Sequence, residues 1–227
     1  SNRQEDVELA RISARSVAKW CPGVDIYLYV IGMGFTGDLN EFTHVTALSV
    51  DFDREEREKW FYMQSALTPK ALFDMRENGV EMAIYLDCDT FVCGDITALW
   101  EVLGVCDLAG AHSPRRFMSN IDKYIPEAFS EWNIGVNPMW LSDEVIRFWF
   151  ESSELYGQLI NTYGNDDQLR LRALMYRYWH NAQNRVRFLP LAPEWNFRFC
   201  FPCFASKDVK ILHGKSADLE AIARKAN

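Results

Sequence analysis

The sequence predicts a single α/β domain built on a mostly parallel sheet flanked by helices. Segments with apolar residues at helical spacing alternate with short apolar runs of the kind that form buried strands. No repeat with a period of roughly 20 to 50 residues and no low-complexity linker interrupts the alternation. A chain of 227 residues is long enough to bury one core of this type.

Each element follows from local signals. Val7, Ala10, Ala14, Val17 and Ala18 share one helical face over residues 5 to 19, and "CPG" at 21 to 23 stops that helix. "DIYLYVIG" (25 to 32) reads as a strand closed by the glycine-rich "GMGFTG", and "HVTALSV" (44 to 50) as a second strand. "TPKALFDMRENG" (68 to 79) is expected to be a helix, with Thr68 as cap, Pro69 in the first turn and Gly79 as terminator. "EMAIYLD" (81 to 87) is a buried strand, followed by a short helix near 96 to 103 and a strand near 106 to 111. "WNIGVNPMW" (132 to 140) reads as one strand. Ser142 starts an amphipathic helix with Val145, Ile146, Trp149 and Phe150 inward, and residues 165 to 179 form another helix. "RVRFLPL" and "DVKILHG" are late strands, and residues 217 to 225 a last helix.

Composition narrows the function. A net charge of −8 argues against sequence-independent nucleic-acid binding, which needs clustered Lys and Arg. No apolar run is long enough to span a bilayer, and no signal peptide is visible. The chain opens "SNRQED" without Met. The expected location is therefore the cytoplasm, free or peripheral to a membrane, or the Golgi lumen if an N-terminal anchor has been removed. Cys21, Cys88, Cys93, Cys106, Cys200 and Cys203 are expected to be reduced thiols. "CFPC" (200 to 203) has no second pair with which to form a zinc site.

The stretch "AIYLDCDTFV" (83 to 92) carries the chemistry. In an α/β sheet, ligands bind beyond the carboxyl ends of the strands, where Asp87 and Asp89 stand. Residues i and i+2 point to the same side, so the two carboxylates form a like-charged pair that a hard divalent ion would relieve. The alternative is two carboxylates that cap the turn and the next helix. Two enzyme classes place D-x-D after an apolar strand. In haloacid dehalogenase-like phosphohydrolases the motif reads D-x-D-x-[T/V], which "DCDTF" fits, with Asp87 as nucleophile. In GT-A nucleotide-sugar glycosyltransferases the pair holds the metal that bridges the diphosphate. A phosphohydrolase of that kind usually begins with its motif, whereas here a helix and two strands precede it.

Across most of its length the chain resembles GT-A enzymes related to glycosyltransferase family 8. The matching segments, in order, are "ARISARSVAKWCPGVDIYLYVIG", "LTPKALFDM", "YLDCDTFVCGDITALW", "EWNIGVNPMW", "NDDQLRLRAL" and "ILHGK". The first strand of that fold is missing or reduced to "SN", and the His-Gly-Lys cluster is tighter than the family's spaced version. The resemblance implies a single GT-A domain over residues 1 to 227. It further implies metal ligation of Mn²⁺ or Mg²⁺ by Asp87, Asp89 and His213, and donor contacts from Lys70, Asn133, Gly135, Gly214 and Lys215. Asp167 and Gln168 would stand at the reacting face. The implied reaction is hexosyl transfer, with retention, from a nucleoside diphosphate sugar (a UDP-sugar) to a hydroxyl on a glycan, lipid-linked or protein acceptor. The alternatives are the haloacid dehalogenase-like phosphohydrolase with Asp87 as nucleophile and a non-catalytic nucleotide-sugar binding domain. Asn165, Asp166, Asp167 and Gln168 also suit ordinary helix-start chemistry. Trp132 and Trp195 are aromatic candidates for sugar stacking, though most such rings belong to the core.

Overall fold

The structure, a computed structural model, describes residues 4–31, 38–48, 57–114, 125–163, 167–181, 183–215, 219 and 222. The expected "GMGFTG" turn and most of the expected last helix lie outside the described residues. In chain order the elements are α1 (Gln4–Trp20), β1 (Tyr27–Ile31), β2 (His44–Leu48), α2 (Arg57–Glu77), β3 (Met82–Leu86), β4 (Thr90–Val92) and α3 (Ala98–Glu101). A 3₁₀ turn (Val102–Gly104), β5 (Leu108–His112), β6 (Trp132–Asn133), β7 (Val136–Trp140), α4 (Asp143–Tyr163) and α5 (Asp167–His180) follow. β8 (Phe188–Leu191), a second 3₁₀ turn (Pro193–Trp195) and β9 (Ile211–His213) complete them.

The α/β class is as the sequence predicts, and the strand pairings are mixed. β1 pairs with β2 and β5 with β8 in parallel. β3 with β7, β5 with β6 and with β7, and β4 with β9 are antiparallel. The central sheet runs β3-β7-β5-β6, with β8 against β5. The antiparallel pairs arise where the chain returns through β6 and β7 and where β9 comes back against β4, which strand alternation with helices does not reveal. Both faces of this sheet are covered. Leu108 and Met139 face a cluster with Phe148 and Leu171, while Ala109, Ala111 and Val136 face one with Leu99 and Ile211. The side chains alternate between the clusters as the two-residue period of a strand requires.

Four local expectations change. The helix expected to begin at Thr68 starts at Arg57 and carries Pro69 in its interior. An interior proline costs about 3 kcal/mol; here Leu67, Pro69 and Leu72 are all buried, which offsets that cost. The expected strand 132 to 140 is broken into β6 and β7, because the Asn133 Oδ1 accepts the Gly135 N–H at 3.1 Å and closes a turn. Phe150 is exposed rather than inward, whereas Val145, Ile146 and Trp149 are buried as expected. Ala18 is likewise exposed, and the buried face of α1 includes Ser13 and Ser16 instead. Ser142 does start α4, accepting the Val145 N–H at 3.3 Å.

Those serines dock α1 on β4. Ser16 Oγ accepts the Val92 N–H at 2.9 Å and donates to Ser13 O at 2.6 Å. Ser13 Oγ meets Thr90 Oγ1 at 3.1 Å, and Thr90 Oγ1 donates to Asp87 O at 2.8 Å. A helix is thereby tied to the turn that carries the aspartates. All six cysteines are free thiols. No helix among the described residues is long and apolar enough to cross a membrane.

The large cluster tests the packing directly. Phe148 is fully buried and meets the rings of Trp149, Tyr178 and Phe188. Phe148→Ala should lower unfolding free energy by about 3 to 5 kcal/mol. Urea denaturation would measure it, and a change under about 1 kcal/mol would mean that this cluster does not hold the fold.

Candidate metal centre

β3 delivers Asp87 to the sheet edge, and a tight turn rather than a continuing strand carries the chain on to Asp89. The Thr90 N–H bonds back to Asp87 O at 3.1 Å, and Asp87 N–H bonds to Gly135 O at 3.0 Å. β9 then runs antiparallel to β4, with Thr90 opposite His213. That register sets His213 beside both carboxylates. Its Nε2 lies 3.3 Å from Asp87 Oδ2 and 3.4 Å from Asp89 Oδ1. One ligand atom from each residue falls within 4.8 Å of the others.

Besides the carboxylates, the imidazole is held from two sides. Nδ1 lies 2.8 Å from Asn196 Oδ1, which accepts its proton, so the neutral ring presents the Nε2 lone pair to the carboxylates. The Asn196 Nδ2 donates to Asn133 Oδ1 at 2.8 Å. Gly135 supports the ring face: a Cβ there would fall 1.9 Å from His213 Cε1, so only glycine fits. Tyr85, two residues before Asp87 and on the same face of β3, donates its hydroxyl to Asp87 Oδ1 at 2.9 Å.

Three acceptors thus point at one place, an arrangement that repels itself unless a cation or a proton sits there. Burial opposes charge on His213, yet its contacts with Asp87 and Asp89 outweigh that and raise its pKa. Burial would likewise raise Asp89, but His213 and the charge of Arg198 hold it below the usual carboxylate range. Two carboxylate oxygens and one imidazole nitrogen suit a hard divalent ion such as Mn²⁺ or Mg²⁺. Cys88, between the aspartates, is not among the three residues whose ligand atoms converge; burial and then the two carboxylates push its thiol up to about 12.

The other predicted residues fall into two groups. Asn133 and Gly135 abut His213, and Asn133 Nδ2 reaches toward Gln168 Oε1 at 3.5 Å, a long contact that sets the start of α5 beside this network. Gly214 N–H bonds to Asp89 O at 2.9 Å with φ 146°, and Lys215 Nζ pairs with Asp6 Oδ1 at 2.9 Å. Asp167 opens α5, while its side chain, like Asn165 and Asp166, lies outside the described set. Lys70 is exposed on α2, apart from these contacts. Trp132 is core, packed edge-on to Phe188. A cleft of about 840 Å³ opens from Asp87, Asp89 and Lys215 and runs between β1 and β3, past Leu28, Ile84 and Trp100. Sequence reasoning missed Tyr85, Asn196 and Arg198. Tyr85 was accessible from its i−2 spacing to Asp87; Asn196 and Arg198 sit in irregular chain that carries no periodic signal.

The raised His213 pKa has a pH consequence for the metal-free protein. Stability from the His213–carboxylate contacts is fully present below the unfolded-state value of 6.5 and is lost as pH rises through the higher folded-state pKa. With chelator present, the stability difference between wild type and His213→Gln should therefore shrink as pH rises through that window. Added Mn²⁺ should raise the wild-type melting temperature more at high pH than at low, because the ion competes with the proton. Urea titrations and melting scans across the pH range would measure both, and a pH-independent difference would remove His213 from this role.

No protein-family model and no curated protein matches the chain by sequence. Solved structures do match. The galactosyltransferase LgtC, in complex with donor and acceptor sugar analogs, is similar at a TM-score of 0.65 and 16% identity, covering 100% of this chain and 90% of that one. An active-site mutant of LgtC is similar at a TM-score of 0.62 and 17% identity, covering 95% and 85%. Mouse xyloside xylosyltransferase 1 in its apo form is similar at 0.55 and 14% identity, covering 93% and 92%. The chain has the GT-A fold that these glycosyltransferases share.

Proposed function

We propose that the chain is a metal-dependent glycosyltransferase. It moves a hexosyl group from a nucleoside diphosphate sugar, a UDP-sugar, to a hydroxyl of a glycan, lipid-linked or protein acceptor. The convergence of Asp87, Asp89 and His213 at the strand ends of this fold carries the reading. A divalent ion bound there supplies positive charge for the donor diphosphate.

The chain's own residues supply the rest. Asp87 and Asp89 hold the ion as carboxylates. His213 offers Nε2 because Asn196 keeps the proton on Nδ1. Lys215, beside the carboxylates at the rim of the cleft, adds charge toward the departing diphosphate. The bond from the anomeric carbon to phosphate oxygen breaks, the acceptor oxygen bonds to that carbon, and the acceptor proton passes to the departing diphosphate oxygen. Asn133 and Gln168 line the approach to the sugar, and Asp167 is the first residue of α5, which carries Gln168. The family resemblance supports retention of the anomeric configuration. The net charge of −8 supports a small-molecule donor rather than nucleic acid as partner.

Asp89→Asn should abolish Mn²⁺-dependent binding of UDP in calorimetry while the protein still melts cooperatively in chelator. Unchanged affinity with and without chelator would sink the metal-bridged donor site. Release of inorganic phosphate from simple phosphomonoesters, lost on Asp87→Ala, would indicate a phosphohydrolase instead.

Asp167→Asn and Gln168→Ala separate helix-start chemistry from a role at the sugar. Each should depress turnover at least about tenfold, roughly 1.4 kcal/mol of barrier, with donor affinity and melting temperature nearly unchanged. Near-normal kcat in both variants would return them to helix-start duty. A product of inverted configuration by NMR would contradict retention.

A further inference from the structure

Arg198 is the cation at this site whose donors are least committed. Its Nη1 lies 3.4 Å from His213 Nε2, and its Nη2 lies 3.9 Å from Cys200 Sγ. Its guanidinium stands 5.3 Å from the centroid of the Phe201 ring. Among the described residues it forms no ion pair with a carboxylate, and its buried Nε has no hydrogen-bond partner. A guanidinium carries five N–H donors in a rigid fork, so most of that capacity is unspent. Lys215 differs: it is paired with Asp6 and its side chain is 54% exposed.

The backbone fixes Arg198 in place. The Phe197 N–H bonds to Ile211 O at 2.8 Å, and the His213 N–H bonds to Phe197 O at 2.9 Å. Residue 197 thereby extends the β9 edge and sets the next side chain over the imidazole. With the ring neutral and its proton on Nδ1 toward Asn196, Nη1 donates to the Nε2 lone pair, the same electrons a divalent ion would take. An ion and the guanidinium cannot both occupy that lone pair, so ion binding frees Nη1.

Charge accounting gives the freed group a partner. Two carboxylates and a divalent ion cancel, which leaves the negative charge of a nucleoside diphosphate unmatched. Arginine matches phosphate oxygens with paired N–H donors.

We propose that Arg198 binds the diphosphate of the donor, released onto it when the ion takes His213 Nε2. This rests on the metal-bridged donor site proposed above. It assigns the leaving-group contact to Arg198 ahead of Lys215.

Calorimetry on the whole chain tests it with three probes: Mn²⁺ alone, UDP with Mn²⁺, and uridine with Mn²⁺. In Arg198→Met, UDP affinity should fall about ten- to hundredfold. Affinity for Mn²⁺ alone should be unchanged or tighter, because a competitor for Nε2 is gone. Uridine affinity should not change. Arg198→Lys, which keeps the charge without the fork, should fall between wild type and Arg198→Met and guards against a folding defect in the latter. Melting temperatures in chelator would confirm that both variants fold. Wild-type UDP affinity in both variants would overturn the proposal and leave the donor site standing. Equal losses for UDP and uridine would also overturn it, since the effect would then not lie at the phosphates. A wild-type chain that binds UDP no better with Mn²⁺ than with chelator would overturn this proposal together with the donor site beneath it.

Discussion

The rest of the structure depends on one constraint: three acceptor atoms held together where nothing among the described residues neutralises them fully. Asp87 and Asp89 are close because a turn follows β3. His213, far later in the chain, joins them only because β9 pairs with β4 in one register. A shift by one residue would turn His213 to the opposite face and leave the pair without the imidazole beside it. The order of the late chain serves that register, from the 3₁₀ turn at Pro193–Trp195 to the Phe197 bridge against Leu212.

The repulsion at this centre has to be contained by its surroundings, and the containment is mostly polar. Ser13, Ser16 and Thr90 connect α1 to the D-x-D turn through buried hydroxyl bonds. Asn133 and Asn196, each almost fully buried, link the β6 turn to the imidazole. Such groups destabilise a core when unpaired. Here each is satisfied by another member of the same set, so a change at one position propagates to the ligands. The apolar clusters on either side of the sheet provide stability. The polar layer at the strand ends provides orientation.

Gly135 joins the two. The same turn that breaks β6 from β7 brings a backbone without a side chain against the His213 ring. The family resemblance gives this glycine a sugar contact; the structure adds a packing requirement that would exclude every other residue even without a sugar.

The sequence alone determined the α/β class and most strand positions, and it singled out Asp87, Asp89 and His213, which the structure brings together. Those features are local or lie in recognisable motifs: short apolar runs, a cap at Ser142, two carboxylates one residue apart. It did not determine the mixed strand directions, the interior position of Pro69 or the exposure of Phe150. Pairing partners and burial on both sides of a helix are set by chain segments far away in sequence. Only the tertiary structure decided which residues support the ligands. Asn196 and Arg198 lie in irregular chain with no periodicity to mark them. They reach His213 because residue 197 pairs with the strand that carries it, a hydrogen-bonded contact that no local pattern encodes.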